Sequence, residues 1–167
     1  MPAKLASINL SSTRAAKPRS QSTLAGRTLA GRGDAVDSNT APSQWGRRLA
    51  RLVGEKYGVQ MSENRSKNEG TWRKKAVAIK CAKSLMPPVS LLTTMMERLD
   101  VLWAIYLTPD GGAQIWSIPI EAVREHGYFT RGPNVQKRVE VYHRKAKLIG
   151  KLMGTLSPQE VESCEIP

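Results

Sequence analysis

Several hallmarks of secreted and membrane proteins are missing from this sequence. Its 167 residues contain two cysteines, Cys81 and Cys164, which are too few for a disulfide framework. No apolar run approaches the roughly 20 residues that span a bilayer. Residues 1–14 are interrupted by Lys4 and by several polar residues, unlike a signal peptide. We therefore expect a cytoplasmic protein that does not enter a membrane.

Two common kinds of ligand site are also missing. His126 and His143 lack neighbouring cysteines or carboxylates at the spacing of zinc ligands. A glycine-rich phosphate-binding loop of the Walker or Rossmann kind is absent. Gly111 and Gly112, which follow Pro109 and Asp110, indicate a turn instead. A zinc site and a nucleotide-binding loop are therefore not expected.

Acidic residues are scarce relative to basic ones. The chain has 26 Lys and Arg against 14 Asp and Glu, a formal charge of +12, and its pI is about 10.1. Such an excess attracts polyanions over long distances, and DNA, RNA and an anionic membrane surface are the candidates. We expect nucleic acid as the partner. The alternative is a basic protein without any role in nucleic-acid binding.

The chain divides by composition into a tail, a domain and a short end segment. Residues 1–42 lack aromatic residues and are rich in Ser, Thr, Ala, Gly and Arg, which predicts a disordered basic tail. Residues 43–156 are predicted to form one α/β domain, and the acidic segment 157–167 is predicted to be frayed. The tail has six basic and two acidic residues, so +8 of the charge belongs to residues 43–167.

Hydrophobic periodicity and turn signals predict the order of the elements. A first helix runs from Ser43 to the glycine at position 58. It is followed by a short strand, a polar turn and a strand from Lys75 to Cys81. The predicted elements after that are a helix at 90–99, an apolar strand at 101–107, a returning strand at 113–118, a helix from Pro119 to Gly127 and a loop at 128–133.

The segment after Asn134 fits two patterns. Val135, Val139 and Ala146 belong to an apolar series with helical spacing, whereas residues 138–142 also alternate like a strand. We prefer a helix. Its basic face would then be formed by Lys137, Arg144, Lys147 and Lys151. This basic face has two interpretations. It contacts nucleic acid, or it is an ordinary helix face exposed to solvent.

The order of elements and a few residues resemble the PD-(D/E)XK nuclease superfamily, and within it the small type II restriction endonucleases. The matching residues are Glu69, then Ala78-Ile79-Lys80, then the apolar strand with Trp103-Ala104-Ile105-Tyr106. The resemblance covers 45–123. It implies a restriction-endonuclease-like core, in which helices flank a central mixed β-sheet. It also implies a DNA endonuclease that acts on duplex DNA, and a homodimer is compatible with it.

The resemblance further implies a Mg²⁺ site, with Mn²⁺ as a substitute. Glu69 takes the position of the first acid, the backbone carbonyl of Ile79 that of a further ligand, and Lys80 that of the catalytic lysine, which orients water or stabilises developing charge. Ala78 stands where the second acid is expected, and a methyl group cannot bind a metal. Activity should therefore be weak or absent.

Three explanations of Ala78 are open. In the first, Ala78 is a substitution introduced to inactivate the enzyme. In the second, the protein is a natural pseudo-nuclease that binds nucleic acid without cleaving it. In the third, Glu55 or Glu63 supplies the missing carboxylate. Glu69 beside Gly70 is also typical of an ordinary turn residue. A non-catalytic DNA- or RNA-binding protein is the alternative function. The further candidates for nucleic-acid contact are Arg73, Lys74, Lys75, Lys83 and Ser84.

Overall fold

The computed structural model describes residues 41–63, 68–130 and 137–164, and nearly all of the predicted tail lies outside them. The helices are α1 (Ala41–Tyr57), α2 (Ile120–His126), α3 (His143–Ile149) and α4 (Pro158–Glu162), with a 3-10 helix at Thr93–Glu97. The strands are β1 (Gln60–Met61), β2 (Glu69–Trp72), β3 (Lys75–Ala82), β4 (Val89–Leu92), β5 (Val101–Leu107), β6 (Ala113–Pro119), β7 (Tyr128–Phe129), β8 (Arg138–Val141) and β9 (Lys151–Leu156).

A six-stranded mixed sheet organises these elements in the order β1-β2-β3-β5-β6-β9. β3 and β5 are parallel, and every other neighbouring pair is antiparallel. A parallel pair needs a crossover connection, and here that connection contains β4 and the 3-10 helix. β4, β8 and β7 form a second, antiparallel sheet in that order. The predicted mixed α/β fold with a helix-flanked central sheet is confirmed.

Two apolar layers cover the two faces of the central sheet. On one face, Val77, Ile79 and Trp103 are fully buried against the apolar side of α1. On the other face, Ala78 and Tyr106 belong to a core that includes residues of the second sheet, α2 and α3. Side chains alternate between the faces of a strand, and successive residues of β3 accordingly belong to the two different layers.

Local signals predicted the elements of the first half well. α1 ends before Gly58, whose φ of +69° is left-handed and therefore favours glycine. The strands β3, β5 and β6 and the helix α2 lie within one residue of their predicted positions. Among the described residues, no helix combines the length and apolarity needed to cross a membrane.

The predicted helix at 90–99 is wrong. The structure has β4 followed by the 3-10 helix in this segment. Val89 and Leu91 alternate with less buried residues and pair with Val141 and Val139 of β8. The helical spacing of the apolar residues is therefore overridden by pairing with a strand about fifty residues away.

The preferred helix after Asn134 is also wrong. The described part of this segment contains β8, α3 and β9 in turn, while 131–136 lie outside the described residues. Val139 and Val141 are fully buried, so the alternating pattern of residues 138–142, and not the helical spacing, describes this strand. α3 ends at Gly150, where an added Cβ would lie 2.8 Å from Cγ1 of Ile118. The loop expected after Gly127 begins instead with β7.

The chain end differs from the predicted frayed segment. α4 begins with a reciprocal cap, in which Ser157 Oγ accepts from the Glu160 N–H and the Glu160 carboxylate accepts from the Ser157 N–H. Val161 and Cys164 are buried in the core on the α1 side of the sheet. Residues 165–167 lie outside the described residues.

Candidate functional site

The β2–β3 hairpin brings together the three positions on which the resemblance depends. Glu69 lies directly opposite Ala78. The Ile79 N–H donates to the Asn68 carbonyl at 2.7 Å, so the neighbouring Glu69–Ala78 pair is the non-hydrogen-bonded kind, in which side chains approach closely. Lys80 is two residues beyond Ala78 on the same face. Glu69 is therefore a strand residue of this site and not a turn residue.

The Glu69 carboxylate is held by an arginine that the sequence did not single out. Arg98 Nη2 donates to Oε1 at 2.9 Å, and Arg98 Nε donates to Oε2 at 3.1 Å. The side chain of Glu69 is 16% exposed and that of Arg98 is 50% exposed. The hydrogen bond to Glu69 raises the pKa of Arg98. Both carboxylate oxygens therefore already have a cationic partner.

Lys80 is a titratable group that this arrangement affects. Burial lowers its pKa, because an ammonium loses hydration inside the fold. The nearby Glu69 carboxylate opposes that shift, whereas Arg138 and Arg98 add to it. Lys80 therefore loses its proton at a lower pH than a surface lysine does, and it lies within electrostatic reach of both arginines.

The described residues do not fit a Mg²⁺ or Mn²⁺ site. A hard cation needs several oxygen ligands, but Ala78 supplies none and Glu69 is paired with Arg98. Within the described ranges, no group of three or more His, Cys, Asp or Glu side chains lies together. The backbone of Ile79 is part of the sheet, where its N–H donates to Asn68.

The two substitute acids lie at different places relative to the site. Glu55 is exposed on α1, which covers the opposite face of the sheet from Ala78, and it does not complete the site. Glu63 is exposed two residues beyond the end of β1, and it follows Ser62, whose N–H donates to the Glu69 carbonyl at 2.8 Å. Of the two acids, Glu63 therefore stays a candidate for the third explanation of Ala78.

The predicted basic contacts at the turn end of the hairpin lie close together. Arg73 and Lys74 form the β2–β3 turn, with φ of 48° and 66°, and the guanidinium of Arg73 lies 4.6 Å from the centroid of the Trp72 ring. Non-glycine residues adopt such angles at some cost in strain. Lys75 and Lys151 line a groove of about 420 Å³ that also contains acidic residues.

Lys83 and Ser84 lie at the other end of β3, beyond Lys80. The ammonium of Lys83 is 5.5 Å from the ring centroid of Trp45. Ser84 Oγ accepts from the Met86 N–H at 3.3 Å, a local turn interaction. Lys83 is thus three residues beyond Lys80 and lies near the Trp45 ring of α1, and Ser84 has a structural partner.

The predicted basic face of a single helix does not exist. Lys137 precedes β8, Arg144 and Lys147 are exposed on α3, and Lys151 begins β9. Arg144 and Lys147 are three residues apart and share a helix side. The remaining two residues belong to separate elements because β8 and β9 replace the predicted helix.

An exposed aromatic group was missed by the sequence interpretation. Tyr128 on β7 and Tyr142 at the start of α3 are 46% and 38% exposed, and their rings meet edge to face at 5.5 Å. The ammonium of Lys145 lies 5.8 Å from the Tyr128 centroid. The consecutive aromatics at 128–129 were the available signal, but both fell within a predicted loop.

His143 has a structural environment. Its Nε2 is 2.9 Å from Oε1 of Gln114, and its ring packs edge-on against Tyr106 and Trp116. Burial, and secondarily the charge of Lys147, lowers the pKa of His143. The expectation that this histidine is not part of a zinc site stays a prediction.

Comparison with known protein families found no matching family model, and no curated protein matches the sequence. The structure defines a class, a mixed α/β protein with a six-stranded central sheet. Interpretation of the hairpin site therefore depends on its own residues and their geometry.

Proposed function

We propose that this chain is a nucleic-acid-binding protein, with DNA as its main partner, whose nuclease-like hairpin does not cleave. The observation that carries the proposal is the pairing of Glu69 with Arg98 opposite Ala78. The guanidinium stands in for the cation that this carboxylate would otherwise help to bind. The ion pair is neutral overall, and the positive charge of the hairpin comes from the exposed Arg73, Lys74 and Lys75.

The chemistry of phosphodiester hydrolysis explains why such a site should be inert. The reaction needs an activated water and stabilisation of negative charge on the phosphate, which a well-coordinated divalent cation supplies. Ala78 removes one ligand, and the Arg98 guanidinium opposes the approach of a second cation to Glu69. Binding of phosphates by Arg98, Lys80 and their neighbours needs no metal.

Charge and its placement support nucleic acid as the partner. Residues 43–167 have a formal charge of +8, and the Arg73-Lys74 turn extends from the hairpin with exposed side chains. Contacts of this kind are made to phosphates and release counterions. The proposal therefore requires binding that weakens steeply as salt rises.

Titration of a fluorescent DNA duplex with the full chain tests this binding. We expect anisotropy to report binding at about 50 mM salt and a loss of affinity by orders of magnitude at about 200 mM. Lys74→Glu should weaken binding more than Glu55→Lys strengthens it, because Lys74 is exposed in the turn of the hairpin, whereas Glu55 lies on α1, which covers the opposite face of the sheet from Ala78. Absence of binding at low salt would reject the proposed function.

Metal-dependent endonuclease activity is the second candidate, and the position of Lys80 beside Glu69 favours it. The full chain should not cleave duplex or single-stranded DNA with Mg²⁺ or Mn²⁺. Cleavage that persists on purification and is lost in Lys80→Ala would instead establish the enzyme.

A gain-of-function variant separates the two candidates further. Ala78→Glu places a second carboxylate opposite Glu69, and Ala78→Asp is a smaller alternative if the longer side chain does not fit the buried position. Ala76→Glu is the matched control, because it adds the same charge to the same strand face opposite Thr71. Cleavage in the position-78 variants alone would identify a degenerate nuclease site, while inactivity of folded variants favours a binding protein unrelated to nucleases.

A further inference from the structure

One side of the second sheet presents aromatic and basic side chains together. The outer patch, as we define it, consists of Tyr128, Arg138, Tyr142 and Lys145. Arg138 is exposed and alternates along the chain with the inward-facing Val139 and Val141. Clustered aromatic rings at a surface mark interaction sites more often than isolated ones.

The rings of the outer patch are held by their neighbours. Tyr128 lies opposite Glu140 in the β7–β8 pairing, which places it on the outer side of the sheet. The edge-to-face contact with Tyr142, at an interplanar angle of 86°, confirms that both rings share this side. Lys145, one turn into α3, approaches the Tyr128 ring. Rings that are already held by their neighbours lose little side-chain freedom when a ligand binds.

Charge around the outer patch favours a polyanion. At the patch itself Arg138 and Lys145 are basic, and Glu140, opposite Tyr128 in the strand pairing, is acidic. The segment 137–151 as a whole has six Lys and Arg against this one acid. An exposed ring with nearby cations suits a nucleotide, because the base stacks on the ring while the phosphate meets the cations. Bases within a duplex are already stacked on one another. An unpaired strand is therefore the occupant that uses the rings.

The outer patch is also connected electrostatically to the hairpin site. Arg138 is among the charges that lower the pKa of Lys80. Arg138 therefore lies within electrostatic range of Lys80, and a nucleic acid long enough to span both places would meet positive charge at each. This continuity points to the same polymer at both places.

We propose that the outer patch binds single-stranded DNA by stacking a base on Tyr128, with Arg138 and Lys145 at the adjoining phosphates. The assignment to DNA rests on the proposed function. The competing occupant is a second copy of the chain, because β7 is an edge strand of its sheet and edge strands can pair with one another.

Binding of a fluorescent oligothymidylate by the full chain tests this proposal. Tyr128→Ala should weaken binding about 5- to 100-fold, the range for loss of one stacked base, and Tyr128→Phe should retain it. Phe129→Ala is the matched control, because Phe129 is equally exposed on the same strand but faces the other side. An oligonucleotide with abasic sugars should bind the wild type and Tyr128→Ala equally.

Several outcomes would overturn the inference. The first is that Tyr128→Ala binds oligothymidylate as tightly as the wild type does. The second is that Phe129→Ala loses as much affinity as Tyr128→Ala. The third is that the chain binds oligouridylate more tightly than oligothymidylate. Self-association that Tyr128→Ala abolishes, without a change in DNA affinity, would assign the patch to a second copy. Duplex binding without single-strand binding would reject this inference alone, whereas no binding of either would reject the proposed function too.

A crosslink on the unaltered chain covers the case of a variant that does not fold. An oligonucleotide carrying 5-iodouracil, irradiated in the complex, should couple to Tyr128 or Tyr142, as mass spectrometry of the digest would show. Crosslinks confined to other aromatic residues would overturn the proposal.

Discussion

The two faces of β3 belong to one strand but contribute differently to the protein. On the side that faces α1, the side chains of Val77 and Ile79 are fully buried in the core. The other face has the small residues Ala76, Ala78 and Ala82, with Lys80 between them. Ala104 lies beside Lys80 on β5. Small neighbours on this face leave volume for a long amine and for the Glu69–Arg98 pair.

This contrast separates the stabilising residues from the reactive ones. Removal of methyl groups from the α1 face leaves a cavity, and its effect is on the free energy of unfolding. Changes on the other face alter charges that are partly hydrated, and their effects on folding are small. Substitutions on the Lys80 face should mainly change ligand affinity, the pKa values of nearby groups and the effect of added metal ions.

The largest effect is expected for Ile79→Ala. Loss of a fully buried side chain in a packed core reduces the free energy of unfolding by about 2–5 kcal/mol. Urea unfolding followed by tryptophan fluorescence gives this value. Lys80→Ala, one residue away on the other face, should change stability by much less. Equal losses in the two variants would contradict the division between the faces.

Local sequence patterns were sufficient for the elements around this strand. Alternation in β3, the continuous apolar run of β5 and the Pro-Asp-Gly-Gly turn after it each depend on neighbours in sequence. Pro119 and Gly127 likewise delimit α2. The structure of these regions follows from short-range rules, and so their predictions are confirmed.

The second sheet required information that no local pattern contains. β4 pairs with β8, and residues 93–137 separate the two strands in the chain. Each strand has an apolar spacing that fits a helix equally well in isolation. The burial of Val139 and Val141 selects the strand, and that burial exists only after the chain has folded.

The candidate site shows the same division between local and long-range information. Glu69, Ala78 and Lys80 are spaced by a hairpin, so their proximity could be predicted from the sequence. Arg98 lies within the mispredicted segment at 90–99 and reaches Glu69 from the end of the 3-10 helix. An ion pair across 29 residues has no signature in the sequence.

The next largest effect concerns the coupling of Glu69 with Arg98. A double-mutant cycle with Glu69→Gln and Arg98→Gln should give about 1 kcal/mol, because the pair has two hydrogen bonds but the guanidinium is half-exposed. The coupling should fall as salt rises. The cycle Lys56→Gln with Glu160→Gln, across the more exposed ion pair at 2.6 Å, is the control and should couple less. A coupling of zero in the first cycle would remove the argument that Arg98 replaces a cation.

A smaller effect is expected in the pH dependence of Lys80→Met. The pKa of Lys80 is lowered in the fold, mainly by burial, relative to the ordinary 10.5. Between the lowered value and 10.5 the unfolded chain binds more protons than the folded one, so this group makes stability rise with pH. Lys80→Met should remove that rise.

Comparison with Lys83→Met, in urea titrations at several pH values up to about 10, isolates the contribution of Lys80. Burial also raises the pKa of the Cys81 thiol to about 12, which opposes the trend above pH 9 and is common to both variants. The hypothesis fails if the two variants have the same pH dependence.

The smallest effect is expected at His143, a histidine that packs against Tyr106 on the Lys80 side of the sheet. Burial and Lys147 lower its pKa below 6.5, so between 6.5 and the lowered value the unfolded chain is the more protonated. Stability should therefore fall as pH drops through that window. His143→Gln should reduce this loss, with His126→Gln as the control because His126 is an exposed histidine on α2. NMR titration of Lys147→Ala should show the His143 pKa moving upward, and an unchanged value would show that burial alone sets it.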